Sequence, residues 1–86
     1  MKIKILIADD HSLMRVGLNA LLGHQKDMTV VGEARDGVEA VKKARELNPD
    51  VVVMDLMMPK MNGVDATRLI RTALPQTKVM ILTSFG

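Results

Sequence analysis

Residues 51–63 read Val51-Val52-Val53-Met54-Asp55-Leu56-Met57-Met58-Pro59-Lys60-Met61-Asn62-Gly63. The first six are apolar apart from Asp55 and rich in β-branched valine, which suits a strand covered on both faces. Pro59 and the Asn62-Gly63 pair make the remainder a loop. A single acid, Asp55, therefore stands near the end of a central strand.

A second apolar run covers 3–8, interrupted only by Lys4, and stops at Asp9-Asp10. It is too short for an ordinary helix and too apolar for a strand with one wet face. From Ser12 the period changes: Leu13, Val16, Gly17, Ala20 and Leu21 recur at spacings dominated by three and four, with Ser12 or Asp10 as the expected N-cap and Gly23 as the stop. Residues 28–34 alternate loosely and carry polar groups, as an outer strand would. Asp36 with Glu39 resembles a capping box, opening a helix with Val38, Val41, Ala44 and Leu47 as its expected apolar stripe. Pro49 bars its continuation. A third helix follows from about Val64, with Val64, Thr67, Ile70 and Leu74 on one side and Pro75 closing it, before a fourth strand over 78–83. The order β-α-β-α-β-α-β predicts an α/β fold with a parallel sheet and right-handed crossovers.

Composition narrows the function classes. The chain has 86 residues, enough for one small domain. Its 12 Lys and Arg against 10 Asp and Glu leave a formal charge of +2, too small to argue a nucleic-acid-binding face. Zero cysteines exclude disulfide frameworks, thiolate metal sites and cysteine nucleophiles, and suit a reducing compartment such as the cytoplasm. No apolar run approaches the roughly 18 residues of a membrane span, and no signal peptide is evident. Hydrophobic residues reach 48% although Phe85 is the sole aromatic, so the core is expected to be aliphatic, with the eight methionines mostly as filler. Lys42, Lys43 and Arg45 are expected on a solvated helix face, and His11 on the polar surface.

In open α/β sheets, ligands bind beyond the carboxyl ends of the strands, where strand order reverses. Asp9, Asp10 and Asp55 all fall at such ends. If their strands are neighbours, three carboxylates share one pocket, and each like-charge pair at about 4 Å costs on the order of 4 kcal/mol at an effective dielectric near 20. Such a cluster holds a proton or binds a cation. Oxygen donors without cysteine favour Mg²⁺. A carboxylate there can also attack phosphorus and form an aspartyl phosphate. Taken singly, Asp9 or Asp10 is better explained as a helix cap or solvated loop residue, and Thr83 reads equally as an ordinary β-branched strand residue. Thr83 could instead aim its hydroxyl at the same pocket.

Asp9-Asp10-His11 after an apolar strand, Asp55 in its Val-Val-Val-Met-Asp-Leu-Met-Met-Pro-Lys-Met-Asn-Gly setting, and Leu82-Thr83-Ser84 together resemble the receiver domain of bacterial two-component response regulators. Val-Val-Gly-Glu-Ala at 30–34 and Asp-Gly-Val-Glu-Ala at 36–40 resemble the subset with a LuxR-type helix-turn-helix output. The resemblance implies a flavodoxin-like sheet in the order 2-1-3-4. It implies Asp55 as phosphoacceptor from a sensor histidine kinase, Mg²⁺ bound by Asp10, by Asp9 through water and by the backbone carbonyl of Met57, and Thr83 as the switch hydroxyl. Pro59 and Gly63 would shape the adjoining loop. Met57 and Phe85, both apolar, occupy positions that tune water access in the family, which implies slow self-dephosphorylation.

The family pattern continues with a fourth helix, a fifth strand, a lysine that pairs with the phosphoryl group, and a fifth helix. On this reading, residues 1–86 form a partial receiver domain truncated after the fourth strand. DNA would be bound only through a missing output domain. The chain alone is expected to accept little phosphate, and to self-associate through the apolar edge of 79–82. The enzyme alternative is a haloacid-dehalogenase-like Mg²⁺-dependent phosphatase. That family wants two acids spaced two apart after the first strand, whereas this run is Asp9-Asp10-His11-Ser12.

Overall fold

Alternating side chains of a strand point to opposite faces of its sheet, so a strand that is apolar throughout needs cover on both. The computed structural model, which describes residues 2–82, supplies that cover from three helices. Its elements are β1 (Ile3–Ala8), α1 (Ser12–Gly23), β2 (Met28–Ala34), α2 (Gly37–Leu47), β3 (Val51–Asp55), α3 (Gly63–Ala73) and β4 (Lys78–Leu82). All three strand pairings are parallel, in the order β2-β1-β3-β4. This is the flavodoxin-like arrangement expected from the sequence.

Leu6, Ala8, Val52 and Met54 point to one face, where they join Ala40, Val41 and Ala44 of α2 and Ala66 and Ile70 of α3 in the larger core. Ile5, Ile7 and Val53 point to the other, against the half-buried Leu18 and Leu22 of α1. The expected stripes needed correction. Val38 and Val64 are exposed, and the residues facing the core are Gly37, Ala40, Val41 and Ala44 in α2 and Gly63, Ala66 and Ile70 in α3. A helix turns about 100° per residue, so a face is held by mixed steps of three and four and drifts off a run of threes.

The helix starts follow local chemistry. Asp36 Oδ1 accepts the Glu39 N–H at 2.8 Å, while Glu39 Oε1 accepts the Arg35 N–H at 2.9 Å, one residue before the position of a reciprocal box. Asn62 Oδ1 accepts the Asp65 N–H at 2.9 Å and caps α3. Neither Ser12 nor Asp10 caps α1. His11 is its N-cap, without a side-chain cap bond: its carbonyl accepts the Arg15 N–H at 3.1 Å as the first helical bond, and Asp9 Oδ1 accepts its N–H at 2.8 Å. Gly23 is the last residue of α1, and Asn48, at φ 47°, ends α2 in the left-handed region just before Pro49. The third strand closes at Asp55, one residue short of the expected Leu56.

Among the described residues β4 is an edge strand, with Met80 and Ile81 exposed. Thr83 and Phe85 lie outside the described residues. Lys43 departs from a purely solvated role: its Nζ donates to the Glu33 carbonyl. No helix among the described residues is long and apolar enough to cross a membrane.

Candidate functional site

Register brings the acids together. Ala8 of β1 pairs with Met54 of β3, so one residue further along each strand Asp9 and Asp55 emerge side by side at the carboxyl end of the sheet. Asp9 is 3% exposed and Asp55 2%. The Asp9 N–H donates to the Ala34 carbonyl at 3.0 Å, extending the ladder to β2. Gly63 closes the pocket wall: its N–H donates to the Leu56 carbonyl at 2.9 Å, and a Cβ there would lie 2.3 Å from the Asp55 carbonyl oxygen. Only glycine lets the loop return this closely. The same loop is braced by α2, since a Cβ on Gly37 would lie 1.9 Å from the Met61 carbonyl oxygen. Lys60, at φ 67°, reaches Asp36 at 3.6 Å.

One ligand atom from each of Asp9, Asp10, His11 and Asp55 can be chosen so that all lie within 4.8 Å of one another. His11 Nδ1 is 2.9 Å from Asp9 Oδ1, 3.1 Å from Asp10 Oδ1 and 3.9 Å from Asp55 Oδ2. The ring expected on the polar surface thus has its outer face in solvent and Nδ1 among the carboxylates. Asp55 Oδ1 accepts the Met57 N–H at 3.2 Å, while Oδ2 is buried without a hydrogen-bond partner among the described residues.

Burial chiefly raises the Asp55 pKa, helped by the charges of Asp9 and Asp10 and opposed by the Met57 N–H and by His11. His11 is raised too, first by its hydrogen bond to Asp9 and then by the Asp10 charge. Asp36 moves the other way, held down by the Glu39 N–H and then by Lys60.

The donor set fits a hard divalent cation. Carboxylate oxygens predominate, and Asp55 Oδ2 is buried without a hydrogen-bond partner among the described residues. The Met57 side chain is exposed beside this pocket. Sequence reasoning missed Arg15, which lies one helical turn after His11. Its Nη1 donates to the Asp9 carbonyl at 2.7 Å and its Nε to Glu33 Oε1 at 3.1 Å. The spacing of four was a usable signal, because it places Arg15 beside the start of α1.

Comparison with known proteins gives a consistent result. Residues 5–86 match the model of the response regulator receiver domain. The response regulator protein VraR of Staphylococcus aureus is 52% identical over 85 residues, which are 99% of this chain and 41% of VraR. The chain therefore spans about two fifths of the length of the curated relatives it matches. Among solved structures, the response regulator domain of Thermotoga maritima CheB superposes with a TM-score of 0.94 at 46% identity, covering 98% of this chain and 62% of that one. A LuxR-family two-component response regulator from Aurantimonas sp. SI85-9A1 gives 0.91 at 37% identity, covering 100% and 61%.

Proposed function

This chain belongs to the response regulator receiver domains, with LuxR-family relatives, and on that premise we propose that Asp55 takes a phosphoryl group from a sensor kinase's phosphohistidine. The membership makes it a signalling module and leaves the haloacid-dehalogenase-like reading without support. The observation that carries the proposal is the buried, unpartnered Asp55 Oδ2 among Asp9, Asp10 and His11.

In the proposed reaction, an Asp55 carboxylate oxygen forms a bond to phosphorus as the bond from phosphorus to the donor imidazole nitrogen breaks. The released imidazole takes up a proton. The Met57 N–H on Oδ1 orients the carboxylate and leaves Oδ2 as the nucleophile. His11, whose side chain is 60% exposed, stands at the mouth of the pocket with Nδ1 3.9 Å from Asp55 Oδ2. Asp9, Asp10, Asp55 and the Met57 carbonyl would hold Mg²⁺, which supplies positive charge against the phosphoryl oxygens. Thr83 is assigned the switch hydroxyl by its sequence position, and the apolar Met57 and Phe85 are assigned slow self-dephosphorylation. A cytoplasmic setting and control of a DNA-binding output domain complete the reading. The exposed Met80 and Ile81 also support self-association through the β4 edge, for which concentration-dependent light scattering is the test and a monomer throughout the refuting result.

The central test is intact-protein mass spectrometry of the protein carrying this domain, incubated with a small acyl phosphate. One phosphoryl mass should be gained with Mg²⁺, and none with a chelator or after Asp55→Asn. Equal incorporation by the Asp55→Asn protein would overturn the assignment.

A further inference from the structure

We propose that Arg15 is the positioning residue of the acidic pocket: its two-armed grip on the Asp9 carbonyl and on Glu33 strengthens divalent-cation binding despite its own positive charge. The inference rests on Asp9 and Asp10 being the Mg²⁺ site.

Packing cannot hold the turn between β1 and α1 by itself. No residue of α1 is fully buried, its first turn carries no acid, and its N-cap makes no side-chain bond. The turn is tied instead through Asp9, by its N–H to Ala34, its Oδ1 to the His11 N–H and its carbonyl to Arg15. The carbonyl bond fixes the peptide joining Asp9 to Asp10, and hence the direction in which Asp10 leaves the backbone. Arg15 can hold it because Glu33 Oε1 holds Nε at 3.1 Å, with the Arg15 side chain 13% exposed. Lys43, donating to the Glu33 carbonyl, carries the brace across to α2. A guanidinium presents two donors in a rigid fork, whereas a lysine ammonium is a single point on a flexible stem.

Positioning and bare charge predict opposite signs. Losing a nearby cation should tighten Mg²⁺ binding, and losing the brace should weaken it. The test is a MgCl₂ titration of the whole chain, ¹⁵N-labelled, followed at the backbone amides of Asp10, His11 and Met57, with the metal-free Tm measured alongside. Arg15→Met and Arg15→Lys should each weaken binding about tenfold, in the range seen for partners that orient metal ligands. Glu33→Ala should weaken it less, and the Arg15→Met/Glu33→Ala pair no more than Arg15→Met alone. Glu33→Ala also removes an anion, so Arg15→Lys, which keeps the charge while losing the fork, carries the test should Arg15→Met not fold. Tighter or unchanged binding in these variants, even with lowered Tm, overturns the proposal, as does wild-type affinity in Arg15→Lys. Wild-type protein that shows no saturable shift, or Asp10→Asn protein that titrates like wild type, brings down the pocket assignment and this inference together.

Discussion

The two faces of the sheet are built to different standards. Towards α2 and α3, Leu6, Met54, Val52 and Ile70 are fully buried in one continuous cluster. Towards α1, among the described residues, only Ile5, Ile7 and Val53 form the buried cluster, and Leu13, Val16 and Leu21 of the helix stand in solvent, Leu13 at 83% exposure. The acidic pocket straddles the boundary: Asp55 and its loop are anchored by the well-packed side, whereas Asp9, Asp10 and His11 lead into the loosely packed helix. A dense core resists deformation, whereas a helix with no fully buried residue has less packing to hold it. Asp55 is thus set beside the densely packed face, while its acidic neighbours depend on polar ties.

The widest gap between the faces should appear on truncating leucines. Leu6→Ala should cost ~2–5 kcal/mol, and Leu13→Ala no more than ~0.5 kcal/mol, by urea denaturation. Similar costs at both positions would erase the distinction. Next, Gly63→Ala should cost ~1–3 kcal/mol, since its methyl must push against the Asp55 carbonyl, and should also depress phosphorylation of Asp55. Full phosphorylation with lowered Tm would show that the anchored loop does not position Asp55. Asp36→Ala removes the cap of α2 and its tie to Lys60, and should cost about 1 kcal/mol. Loss of several times that amount would mean that Asp36 carries the loop rather than the helix end.

The subtlest effect belongs to pH in the metal-free protein. Asp55 and His11 both bind protons more tightly folded than unfolded, so protonation favours the fold. The Asp55 contribution is present below its ordinary value of 3.8 and is lost as pH rises through its higher folded value. The His11 contribution is present below 6.5 and is lost as pH climbs through its raised folded value. Asp36 acts oppositely, stabilising above 3.8 and losing that effect as pH falls through its lowered folded value. In a chelator, Tm should therefore sag above about pH 6.5, and His11→Asn should flatten that sag. A Tm that climbs through this range in both proteins would contradict the arrangement around Nδ1.

Local pattern carried much of the fold. Valine-rich β3, the Asp36 and Glu39 opening of α2 and the stop at Pro49 are written in neighbouring residues, and the structure reproduces them with small shifts of boundary. The errors are equally specific. Val38 and Val64 fit the apolar spacing of their helices yet stand in solvent, because which arc of a helix faces inward depends on the sheet beneath it. Asp10 and Ser12 are natural caps by type, but the first helical bond starts at the His11 carbonyl, between them.

The sequence by itself determined the element order, the parallel α/β class and the presence of acids at two strand ends, because these follow from chain-local preferences of residue type and period. Only the tertiary structure decided that Ala8 lies opposite Met54, and so that Asp9 and Asp55 meet. It alone brought His11 Nδ1 among three carboxylates and Arg15 onto the Asp9 carbonyl. Those are contacts between distant strands or across a turn whose course the sheet sets, and their strength depends on distance and burial that no spacing along the chain encodes.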